Sequence, residues 1–72
     1  MELRQLRALI TLVEHDYNVS KAAARLNLVQ SAVSQQISKL EAELGTPLFL
    51  RHGKRLIGLT DTGQKIIEYA YR

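Results

Sequence analysis

The 72-residue chain has no cysteine, a single proline and only two histidines. Without cysteine there is no disulfide, no thiolate metal site and no thiol nucleophile. The chain must hold together by packing apolar faces, which suits a cytosolic context. His15 and His52 lie far apart in sequence. Two separated histidines and carboxylates scattered along helices assemble neither a metal cluster nor a base oriented by a third group. An enzyme is therefore set aside, and no catalytic residue, metal or other cofactor is expected. No apolar run approaches the ~20 residues needed to span a bilayer, and the amphipathic N-terminal stretch lacks a signal peptide's h-region. The expected location is the bacterial cytoplasm, at the nucleoid, with no membrane partner. A chain this short buries only ~60% of the surface its unfolded form exposes, so it has one small core and little room for an enclosed pocket.

Charge is present but unevenly placed. The net charge is +3. Residues 26–38 carry no charge, whereas residues 51–55 (Arg51, His52, Gly53, Lys54, Arg55) hold three cations and no acid. The result is a neutral surface flanked by a basic tip.

Hydrophobic spacing divides the chain into six elements. Residues 2–15 predict a helix, with Leu3, Leu6, Leu9, Ile10 and Val13 on one face. Ala8 and Leu12 lie on the other side, so this helix is expected to be gripped from two directions. Ser20 is expected to cap a short second helix, with Val19 stapled onto Ala24. That helix ends near Leu26, Asn27 takes the left-handed turn, and Leu28 plugs the elbow. A third helix runs from Gln30 to Leu44, with Val33, Ile37, Leu40 and Leu44 as its apolar seam, Gly45 as its C-terminal cap and Pro47 preventing continuation. Leu48-Phe49-Leu50 and Leu56-Ile57-Gly58-Leu59 flank Gly53 as a two-stranded hairpin. Thr60 caps a fourth helix, with Asp61 against its positive end. Ile66, Ile67, Ala70 and Tyr71 give that helix an apolar stripe that stops in mid-pattern at Arg72, so the chain reads as the front part of something longer.

Two helices joined by a three-residue turn and followed by a basic hairpin are the layout of a mainly α winged helix-turn-helix. The major groove of DNA admits one α-helix. A helix that enters it needs a packed inner seam and an outer face of hydrogen-bonding side chains. Gln30, Ser31, Ser34 and Gln35 supply such a face. Glutamine can bond adenine through N6 and N7, and serine hydroxyls suit bases or phosphates. Ser38 lies a turn further from the helix start and is placed with the backbone contacts. Arg51, Lys54 and Arg55 on the wing, with Lys21 near the start of the second helix, would meet flanking phosphates or a minor groove. A winged helix used for docking a protein would instead need an exposed apolar patch on the third helix, where serines and glutamines stand.

The chain also resembles the LysR-type transcriptional regulators. The residues that carry the resemblance are Leu3-Arg4-Gln5-Leu6, Ala22-Ala23-Ala24-Arg25-Leu26 and Gln30-Ser31-Ala32-Val33-Ser34, followed by Ile37, Leu40, Glu41, Leu44 and Gly45. Leu48-Phe49-Leu50-Arg51 and Leu59-Thr60-Asp61-Thr62-Gly63 complete the register, which covers the whole chain. The resemblance implies a DNA-binding domain over residues 1–59 and the start of a linker helix over residues 60–72. That helix would pair two subunits through Ile66, Ile67, Ala70 and Tyr71, giving a homodimer or higher oligomer on an inverted-repeat duplex. A small-molecule effector would act only through a separate domain beyond this chain. Two departures from the family pattern stand out. Val29 occupies a position usually filled by a capping serine or threonine, and Gln35 occupies one that is often arginine.

Overall fold

The computed structural model describes residues 1–72. Its elements are α1 (Leu3–Glu14), α2 (Val19–Leu26), α3 (Gln30–Leu44), β1 (Phe49–His52), β2 (Arg55–Leu59) and α4 (Asp61–Ala70). This is the mainly helical, winged helix-turn-helix order expected from the sequence. α1 packs against α2, α3 and α4, and this three-sided grip explains its buried face. Gln5, Ala8, Leu9 and Leu12 are sealed from solvent, while Leu6, Ile10 and Val13 are partly buried around the core. Leu3, expected on the apolar face, is 71% exposed. The buried amide of Gln5 fastens both ends of its environment. Its Oε1 accepts the Glu2 N–H at 2.8 Å, and its Nε2 donates to the Glu43 carboxylate at 3.0 Å.

The α1–α2 turn departs from expectation. Asp16 and Tyr17 both take positive φ, 57° and 63°, a conformation that disfavours side chains other than glycine, asparagine and aspartate. Tyr17 is held there by its N–H bond to the Leu12 carbonyl at 2.7 Å and by edge-on packing against Phe49, with ring centroids 6.1 Å apart. The chain leaves this double left-handed step with Asn18 extended, so Asn18 and not Ser20 caps α2. Its side chain accepts the Lys21 N–H at 2.9 Å. Val19, expected outside the helix as a staple, becomes its first residue.

At the other end of α2, Asn27 adopts the expected left-handed turn at φ 61°. The Leu28 N–H closes that turn on the Ala23 carbonyl at 2.9 Å. The Leu28 side chain does not plug the elbow, for it is 45% exposed. Small buried Ala22 and Ala23 let the helices approach without it. α3 has the predicted bounds, and Val33, Ile37 and Leu40 form its seam. Leu44 falls outside that seam at 39% exposure. The core at that end is filled by Leu48, wholly buried after the chain reverses at Gly45 (φ 70°).

β1 and β2 pair antiparallel around a turn at Gly53 (φ 63°). The register passes from Leu50↔Gly58 to Arg51↔Leu56, which leaves Ile57 as an unpaired bulge residue. Thr60 caps α4 as expected, its hydroxyl accepting the Gly63 N–H at 3.1 Å. The expected apolar stripe of α4 divides in two. Ile67 is a core residue at 6% exposure, which corrects its placement on a surface for a second copy. Ile66 and Ala70 are half-buried, and Tyr71 is exposed.

Candidate nucleic-acid interface

α3 advances about 100° per residue, and its seam on Val33, Ile37 and Leu40 orients everything else around it. Ser31 and Gln35 stand opposite the seam and point furthest out. Gln30, Ser34 and Ser38 lie on the flank toward the wing, and Ala32 and Gln36 on the flank toward α1. All five predicted contact residues of this helix, Gln30, Ser31, Ser34, Gln35 and Ser38, are exposed. None of their side chains makes a hydrogen bond within the chain. The cap position before the helix is Val29, whose side chain offers no acceptor and which is 68% exposed. The expected vacancy at the cap is thus present in the structure.

Two grooves join this face to the rest of the molecule. One, of about 410 Å³, runs between α3 and the hairpin and brings Ser34 and Ser38 beside Arg51, Gly53 and Lys54. The second, of about 270 Å³, brings Gln30 together with Lys54, Arg55 and the Asn18–Ser20 start of α2. Exposed backbone N–H groups at a helix start favour anions. The wing-tip cations share one edge with the first turn of α2, where Lys21 is also exposed. Of the nine predicted DNA-facing residues, the grooves gather Gln30, Ser34, Ser38, Arg51, Lys54 and Arg55. Ser31 and Gln35 lie on the open crest, and Lys21 on the adjoining helix.

Arg51 is not the free cation that the sequence suggested. Its Nη2 lies 3.0 Å from one Glu41 oxygen and its Nη1 3.4 Å from the other. The same carboxylate accepts the Leu48 N–H at 2.7 Å and the Phe49 N–H at 3.4 Å. Burial alone would raise the Glu41 pKa. The Arg51 hydrogen bond, the Leu48 N–H, the positive charge of Arg51 and the Phe49 N–H outweigh that burial and hold it below the ordinary carboxylate value. In the sequence Glu41 belongs to the pattern shared with the LysR-type regulators, and nothing local there points to its role. Its partners lie seven to ten residues away across a turn, beyond the reach of helical periodicity. No helix is long and apolar enough to cross a membrane.

The chain matches the description "Bacterial regulatory helix-turn-helix protein, lysR family" over residues 3–64. Among similar proteins is the HTH-type transcriptional regulator CysB of Thiocapsa roseopersicina, 60% identical over 70 residues. That match covers 97% of this chain and 52% of the relative, so the chain spans about half of that protein. Among solved structures, the CbnR_DBD–DNA complex superposes with a TM-score of 0.88 at 38% identity, covering 100% of this chain and 80% of that one. The BenM_DBD/benA site 1 DNA complex gives 0.87 at 38% identity, covering 99% and 78%. With the family match running from the first helix through the wing into α4, the chain belongs to the lysR family of bacterial regulatory helix-turn-helix proteins.

Proposed function

We propose that residues 1–59 bind double-stranded DNA in a sequence-specific manner and act in transcriptional regulation. α3 enters the major groove, and the wing lies on the flanking backbone or minor groove. The observation that carries this reading is the exposed, uncharged, hydrogen-bonding face of α3, bordered along one edge by the basic wing tip and the start of α2. The DNA complexes of the similar CbnR and BenM domains support it. Gln30, Ser31, Ser34 and Gln35 read base edges, while Lys21, Ser38, Lys54 and Arg55 meet phosphates. Nothing in this assignment needs a catalytic group, and the site works in the bacterial cytoplasm.

α4 pairs two copies through Ile66, Ala70 and Tyr71, with Tyr69 (71% exposed) beside them. A symmetric pair meets half-sites about one helical turn or a multiple apart, so the operator is an inverted repeat. Small-molecule regulation belongs to residues outside 1–72, in keeping with the greater length of the CysB relative.

Selection from random duplex DNA tests the reading as a whole, and enrichment of an inverted repeat is the expected result. Gln30→Ala should then cost about 1–3 kcal/mol on that sequence and relax preference at one base position. Equal weakening on every duplex would remove Gln30 from the base-reading set. Absence of any salt-sensitive duplex binding would overturn the function.

A further inference from the structure

We propose that Glu41 is the positioning residue of the wing. Through it Arg51 serves as a cation that holds the wing in place, leaving Lys54 and Arg55 as the wing's phosphate-binding charges. The inference rests on the duplex-binding reading above.

Glu41 stands on the same flank of α3 as Gln30, Ser34 and Ser38, one turn beyond the last of them. Its side chain is only 13% exposed, and the carboxylate meets four donors from the hairpin and its lead-in. Two are backbone N–H groups at Leu48 and Phe49, and two belong to the Arg51 guanidinium. The bulge residue Ile57 lies on β2, opposite the Leu50–Arg51 step, so β1 keeps the regular alternation of its side chains. Arg51 here shares the inward face of Phe49 and turns its fork onto the helix. A planar fork on a carboxylate fixes orientation as well as distance. The base of the wing is thereby bonded to the very helix that presents the reading residues. One acid sets how far the wing tip stands from the base-reading face.

The charge consequence is opposite to intuition. Removing an acid beside a polyanion ordinarily strengthens binding and steepens its dependence on salt. Removing Glu41 instead frees the wing, so that Lys54 and Arg55 lose their phosphates although neither is altered.

The test compares wild type, Glu41→Ala, Lys54→Ala/Arg55→Ala and the triple variant on the selected duplex across a salt series. Folding is followed by circular dichroism. For Glu41→Ala the expected result is an affinity about tenfold lower, with a salt slope shallower by about one to two units, at ~0.9 per phosphate contact. The triple variant should match the double variant. Should Glu41→Ala not stay folded, Glu41→Gln keeps an acceptor for the Leu48 N–H, loses the ion pair and should show smaller changes of the same sign. A rise in affinity with a steeper slope would overturn the proposal, since Glu41 would then be only a neighbouring negative charge. An unchanged slope would also overturn it, because a loss of folded protein lowers apparent affinity without changing the number of phosphates engaged. Wild-type protein that binds no duplex would refute the DNA-binding reading itself.

Discussion

Gly63→Ala sets two elementary expectations against each other. Helix propensity favours alanine over glycine by about 1 kcal/mol inside a helix, so on secondary structure alone the substitution should stabilise α4. The structure predicts the reverse. A Cβ at Gly63 would press into the Leu48 carbonyl oxygen, and it would lie 3.0 Å from the Leu59 Cδ2 and 3.1 Å from the Leu48 carbonyl carbon. The leucine side chain can rotate away. The carbonyl cannot, because it accepts the Thr60 N–H at 3.0 Å while the N–H of the same residue is bound to Glu41 at 2.7 Å. α4 must therefore retreat. Overpacking of this kind costs about 1–3 kcal/mol. Retreat also loosens the bonds from Thr60 to the Leu48 and Pro47 carbonyls, at about 1 kcal/mol each. Set against the propensity gain, the net loss is about 2–4 kcal/mol. At about 4–8 °C per kcal/mol for a domain of this size, Tm should fall by about 10 °C or more. Thermal unfolding and urea titration of Gly63→Ala measure this, with the exposed neighbour Gln64→Ala as the control. A Tm equal to or above wild type would refute the packing argument.

Four further outcomes follow from the structure. Val29→Ser supplies the missing cap acceptor at the start of α3 and should raise stability by about 1 kcal/mol in a urea titration; no gain would show that the first-turn N–H groups are already well served. Ile67→Glu should unfold the domain, since it sets an unpaired charge in the core where α4 packs against α1. Ile66→Glu should instead leave the fold intact and weaken self-association in sedimentation, and an unchanged oligomer would remove the α4 contact. The last concerns pH. The Glu41 carboxyl is lowered in the folded state, so the unfolded chain binds the extra proton. Its contribution is complete above the ordinary carboxylate value of about 4.3 and is lost as pH falls through the lowered one. The difference in urea midpoint between wild type and Glu41→Gln should therefore shrink below about pH 4; a difference that persisted at lower pH would show that the charge of Glu41 is not what stabilises.

All six elements were legible in the sequence, because each has local punctuation. Gly45 and Pro47 end α3, Asn27 ends α2, Thr60 opens α4 and Gly53 turns the hairpin. The sequence is ambiguous where two residues can play one part or where a partner lies across a turn. Asn18 and Ser20 are both capable caps, and only the paired left-handed conformations of Asp16 and Tyr17 decide between them. Ile66 and Ile67 are equally apolar neighbours, and the angle at which α4 crosses the core sends Ile67 inward. Leu44 and Leu48 compete for one end of the core, and the reversal at Gly45 gives it to Leu48. The hydrogen-bonding face of α3 was readable because a gap in charge and a serine periodicity coincide. The pairing of Arg51 with Glu41 was not, since a cation on a hairpin looks the same whether it faces a phosphate or a helix.

The joint at Leu48 has a consequence for how this domain can drift over generations. Its N–H meets α3, its carbonyl meets α4, and its side chain closes the core. Two of those three attachments belong to the peptide, which every residue except proline carries in full, so no ordinary replacement at position 48 can erase them. The vulnerable positions are Glu41, whose carboxylate accepts the Leu48 N–H, and Gly63, whose missing Cβ leaves room for the Leu48 carbonyl. Homologues that tolerate many side chains at the joint but few at these two positions would bear the imprint of a bearing made from backbone.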